Sequence, residues 1–205
     1  MANFRGHSTL GIACAAVYAG AFWLAGDVSI SEAVFAFALC AFASLLPDLD
    51  SETGRLRRFM FETLALVVSA VLALTWFDFP RMEDRFFAMM AVFFAMRWPL
   101  AALFARFTTH RGIFHSIPAA VICAELAFLL FTGRPLAVRV CYAGACLLGY
   151  GSHLVLDEIC AAGFLGLFHK KSLGTALQLR VSSRRVTALA WLLLLVLAAF
   201  VFMAT

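Results

Sequence analysis

Charge is what this sequence has least of. Only 14% of its 205 residues are Asp, Glu, Lys or Arg, whereas 64% are hydrophobic, and the mean hydropathy is +0.95. A soluble fold has too little interior to hide that much apolar surface, so the composition excludes an ordinary soluble domain and requires lipid as the second solvent. Cysteine occurs six times but never as a CxxC pair, and nearly all six lie inside apolar runs. CxxC-type zinc and redox motifs are therefore excluded, and these residues read as small, reduced packing elements. There is no low-complexity tract and no clear internal repeat. No convincing small-x-small cleavage site accompanies the first apolar run, and the run is long, so it reads as a retained membrane helix rather than a signal peptide.

Long apolar runs are abundant. Seven are readable: Ser8–Ala25, Val28–Leu46, Phe59–Phe77, Phe86–Phe104, Ile117–Phe131, Leu136–Leu156 and Val186–Ala204. Most approach the ~20 residues a helix needs to cross a bilayer, and a helix satisfies its own backbone there. The fifth is short and needs tilt or help from its flanks. The expected fold is a single all-α, membrane-embedded domain over 1–205, a bundle of about seven transmembrane helices. The one long connection, 158–185, mixes aromatic, aliphatic and basic residues as an interfacial loop would.

The positive charges are unevenly placed. With seven crossings, one face receives Arg5, Arg55, Arg57, Arg58, Arg106, Arg111, Lys170, Lys171, Arg180, Arg184 and Arg185. The other receives Arg81, Arg85, Arg134 and Arg139. The positive-inside rule makes the first face cytoplasmic, with the N-terminus on that side. Every histidine and aspartate of interest falls on the same face. His7 precedes the first run, "LLPDLD" places Asp48 and Asp50 after the second, and "HRGIFHS" places His110 and His115 before the fifth. "GYGSHLVLDE" places His153 and Asp157 at the end of the sixth. Hydropathy and Lys/Arg alone drew the topology, so this coincidence is independent of it and points to a metal site at the cytoplasmic face.

The spacings suit that role. His153 and Asp157 are i and i+4 and share one helix face. Imidazole with carboxylate binds zinc, or manganese and iron where oxygen predominates. Pro47 helps turn the chain out of the second helix at Asp48 and Asp50, one of which could orient a histidine rather than ligate. Four histidines and three aspartates exceed one four-coordinate site, which suggests two ions, or one ion with acid/base groups. Taken singly, each element has a plainer reading: His-x-x-x-Asp as a surface pair, "PDLD" as a turn, His7 as an interfacial residue. Arg97 and Glu125 lie inside apolar runs, either as a buried pair or separately on the bundle interior. His169 reads as a headgroup contact, and Glu158 points away from Asp157 on the same helix.

Together, His7, "PDLD", "HRGIFHS" and "GYGSHLVLDE" resemble the YdjM-like family of bacterial inner-membrane proteins, predicted membrane-bound metal-dependent hydrolases. The resemblance runs from His7 to about Gly174. It implies that His7, Asp48, Asp50, His110, His115, His153 and Asp157 are metal and catalytic positions. The family is more distantly similar to zinc-dependent phospholipases C and related nucleases, which implies phosphoester chemistry. The chain departs from the family after the last aspartate, where "EICAAGFLGLFHKK" replaces a stretch often rich in threonine and glycine.

The expected function is hydrolysis of a phosphoester in a lipid or lipid-linked molecule. The expected cofactor is a divalent metal, zinc first and manganese, iron or magnesium as alternatives, with two or more ions accommodated. Asp50 or Asp157 would act as general base or metal bridge, and Arg111 would hold an anionic phosphoryl oxygen. Membrane lipids are the expected partners, and no nucleic-acid partner is expected. A transporter, or a scaffold in which metal only staples helices, are the rival readings. A conduit should place polar groups near the midplane, where only Glu125 and Arg97 are candidates.

Overall fold

The computed structural model describes residues 4–50, 54–76, 79–100, 102–103, 113–162, 177–180 and 183–205. Among these, seven α-helices and no strand are found, one helix on each apolar run. They are α1 (Phe4–Leu24), α2 (Ile30–Ala43), α3 (Gly54–Thr75), α4 (Met82–Ala95), α5 (Ile117–Leu130), α6 (Leu136–Ala162) and α7 (Arg184–Met203). A 3-10 turn, Leu46–Asp50, follows α2, and a π-helical turn, Met96–Leu100, follows α4. Three helical stretches among the described residues are long and apolar enough to cross a membrane: Arg5–Leu24, Ile30–Asp48 and Arg184–Met203. Phe61–Thr75 and Ile117–Leu130 are shorter apolar helices.

The chain divides into two compact units, one of Met1–Pro47 with Gly112–Thr205, the other of Asp48–Arg111. In the first unit, local chemistry sets the helix ends. α1 stops at Gly26, whose φ of 80° suits glycine. The amides of Gly26 and Asp27 return to the carbonyls of Trp23 and Phe22, satisfying two carbonyls the helix end would otherwise orphan. Ser29 opens α2 with a reciprocal capping box to Glu32. Ser116 caps α5, with Pro118 in the first turn where no amide hydrogen is needed.

Small residues let the helices of this unit approach closely. α2 turns Ala33, Ala36, Cys40 and Ala43 inward. A Cβ at Gly149 of α6 would collide with the Cys40 carbonyl, one at Gly144 with the Tyr18 hydroxyl, and one at Gly11 of α1 with Ser44. Such contacts are how helices associate where lipid removes the hydrophobic drive between them. α6 is the central element, packed on α1, α2 and α5. At the end away from His153, its buried Arg139 donates to the carbonyls of Phe128 and Ala204 and lies 3.9 Å over the Phe128 ring. A cation among the C-terminal carbonyls of α5 and α7 is favourably placed. α7 buries only Ala190 and exposes Leu189, Leu192, Leu195 and Phe200.

In the second unit α3 packs on α4 and on the π turn. α3 buries Phe61, Ala65, Ser69 and Ala73 at a four-residue spacing, whereas α4 buries none of its residues. Pro99 accounts for the π turn, since it cannot donate to an α-helical ladder. Arg97 in that turn donates to Glu62 Oε1 of α3 from Nε and Nη2, at 3.0 and 2.7 Å. The partner considered for Arg97 from sequence was Glu125, and the structure gives it Glu62 instead. A carboxylate on a helix already packed against the turn costs no further ordering to reach.

Candidate metal centre

Four ionisable side chains of the first unit meet, each no more than 4% exposed: His7, His115, His153 and Asp157. They come from separate stretches of chain. His7 sits in the first turns of α1, His115 in the turn before α5, and His153 and Asp157 one helical turn apart on α6. Asp157 is the hub. Its Oδ1 lies 3.2 Å from His7 Nε2. Its Oδ2 lies 3.8 Å from His115 Nε2 and 3.9 Å from His153 Nε2.

Each ring is held. His153 Nδ1 lies 2.7 Å from the Ser44 carbonyl, and because a carbonyl only accepts, that nitrogen carries the proton. Nε2 then keeps its lone pair on the side of Asp157, the tautomer a metal ligand needs. The helix end supplies the acceptor, since a carbonyl in the last turn of α2 has no guaranteed intrahelical partner. His7 stacks on His153 with centroids 3.7 Å apart and planes 10° from parallel. His115 meets His153 edge-on at 5.7 Å. The turn carrying His115 is fixed from two sides. Tyr150 of α6 donates to the Phe114 carbonyl at 2.5 Å, and Ser116 donates to the Ile113 carbonyl. The Ile117 amide, an orphan of the α5 N-terminus, reaches the Gln178 carbonyl at 3.0 Å.

The donor set fits a divalent ion. His7, His153 and Asp157 each offer a ligand atom within 4.8 Å of the others. Tetrahedral zinc with ligands at ~2.0–2.1 Å spaces its donors roughly 3.3 Å apart, close to the His7–Asp157 separation. His7 Nδ1 has no hydrogen-bond partner among the described residues. Burying three imidazoles around one carboxylate costs free energy unless the charge is matched.

Of the residues expected from sequence, His7, His115, His153 and Asp157 are brought together. Asp48 lies half-buried in the 3-10 turn, and of Asp50 the backbone of that turn is described. His110, Arg111 and His169 lie outside the described residues. The sequence reading missed Ser44, Tyr150 and Ser116, which orient the ligands rather than supply them. Tyr150 carried a signal, being one helical turn before His153 on the same side of α6.

Apolar helices enclosing a buried histidine–carboxylate cluster define a helical membrane protein with a candidate metal centre. The family model described as YdjM inner membrane protein matches residues 1–205, and the chain belongs to that family. Neither the curated proteins nor the solved structures contain a match to it.

Proposed function

We propose that this protein is a membrane-bound, metal-dependent hydrolase of a phosphoester in a lipid or lipid-linked molecule, working at the cytoplasmic membrane interface. One observation carries the reading: three histidines from three parts of the chain converge, buried, on the single carboxylate of Asp157. His7, His153 and Asp157 would hold the ion, with His115 beside them, and zinc suits three imidazoles and a carboxylate best. A divalent ion, when bound, supplies Lewis acidity that polarises a phosphoryl oxygen and acidifies water. Asp157 offers its two oxygens to different histidines, so it can ligate through one while accepting a proton or orienting a ring through the other. Asp48, Asp50, His110 and Arg111 are further candidates, Arg111 as the group that holds an anionic oxygen.

The proposed topology has seven crossings, the N-terminus cytoplasmic and the C-terminus outside. A C-terminal reporter active only in the cytoplasm is expected to be silent. The activity test combines metal content of the purified protein with release of phosphate or headgroups from a lipid panel. Metal with turnover, both lost in Asp157→Ala, supports the hydrolase. The second reading, a metal staple, is favoured by the way the ligands tie α1 to α6. It predicts bound metal, loss of helix on chelation, and no turnover on any lipid.

A further inference from the structure

A groove of about 690 Å³ runs between α1 and the last turns of α6, lined by Arg5, Thr9, Leu10, Ala13, Leu156 and Cys160 with Gly6. It lies one helix face away from the metal centre, since Gly6 adjoins His7 and Leu156 adjoins Asp157. Its polarity is graded. Arg5, an exposed cation, stands at one end, and Thr9 follows one turn later with its hydroxyl on the Arg5 carbonyl. From there inward the walls are Leu10, Ala13 and Leu156. From Arg5 to Ala13 the helix rises roughly 12 Å. Ala13 is what keeps it open, a small residue exposed on a helix apolar enough to cross a membrane.

We propose that this groove binds one apolar tail of an anionic phospholipid, with the lipid phosphate at Arg5. Charge selects the headgroup, since the guanidinium matches a phosphate in a planar, two-pronged contact. The apolar walls take the tail, and the open side of the groove lets it enter laterally from the bilayer. This deepens the hydrolase reading by naming the substrate class, and it rests on that reading only for what happens to the lipid once bound.

The test is native mass spectrometry of the delipidated full-length protein, titrated separately with phosphatidylglycerol, phosphatidylcholine and glycerol 3-phosphate. Wild type is expected to prefer phosphatidylglycerol over phosphatidylcholine and to bind tail-less glycerol 3-phosphate far more weakly. Arg5→Ala should weaken phosphatidylglycerol by about five-fold, the worth of one basic residue at an anionic surface. Ala13→Trp, which fills the groove, should abolish tight binding, while Val17→Trp, exposed on the same helix outside it, should behave as wild type. As a second readout, phosphatidylglycerol should slow maleimide labelling of the exposed Cys160. Undiminished binding in Ala13→Trp, equal affinity for the two phospholipids, or glycerol 3-phosphate binding as tightly as phosphatidylglycerol would each overturn the proposal. So would undiminished lipid hydrolysis by Ala13→Trp. Lipid binding lost in Ala13→Trp, in a wild type that hydrolyses nothing, would leave the groove standing and remove the hydrolase.

Discussion

The two units of this chain solve the same problem differently. In the first, α6 is packed on three helices, approaches α2 through Gly149 and α1 through Gly144, and buries four ionisable side chains together. In the second, α3 buries a narrow strip and α4 buries nothing. Its ion pair is wet by comparison, with the Glu62 side chain 44% exposed against 4% for Asp157. Polar groups can be buried only where the surrounding packing holds their partners in place, because a buried charge whose partner drifts is costly. Close backbone approach in the first unit gives that rigidity.

This contrast is sharpest at the cluster. Asp157→Ala and His153→Ala should each reduce bound metal to background and abolish hydrolysis, with helix content by circular dichroism and membrane insertion retained. Full activity in Asp157→Ala would remove the hydrolase reading. Next in size is Gly149→Leu. Its side chain must push the Cys40 backbone away, and overpacking of this kind costs about 1–3 kcal/mol. Because Ser44, one turn beyond Cys40, orients His153, metal affinity should fall with thermal stability. A stable Gly149→Leu with normal metal content would show that the close approach of α2 and α6 does not support the site.

Tyr150→Phe should act more gently, costing about 1 kcal/mol for the lost hydrogen bond to Phe114. It acts through the turn that carries His115, so metal affinity should drop by about ten-fold while the number of ions at saturation stays the same. A purely structural tyrosine would lower stability and leave the affinity untouched. Smallest is Arg97→Ala in the second unit. A partly exposed ion pair contributes about 0–1 kcal/mol, so a modest shift in melting temperature and unchanged metal content are expected. Metal loss in Arg97→Ala would break the comparison, since it would make the second unit a support of the site.

Much of this architecture was legible in advance. The positions of the seven helices could be read because hydropathy is a property of local sequence, and each helix of the structure lies on one apolar run. The His153–Asp157 pair was legible for the same reason, since helical spacing puts both on one face. His7 looked like an interfacial residue by itself, and nothing local distinguishes it from one. Its partner Asp157 is remote in the sequence, and the approach of α1 to α6 creates the pairing. Arg97 shows the converse: an arginine in an apolar run announces that a partner is needed, and Glu62, also in an apolar run, was as visible as Glu125.

By itself, then, the sequence determined that the chain is helical and needs lipid, where its helices lie, and which polar residues must be accounted for, because composition and periodicity act over one helix at a time. Only the tertiary structure decided that Asp157 gathers three histidines, that a carbonyl at the end of α2 chooses the tautomer of His153, and that Arg97 belongs to Glu62. Those choices depend on which helices touch and how closely, and around Asp157 glycine contacts between segments far apart in the chain set that approach.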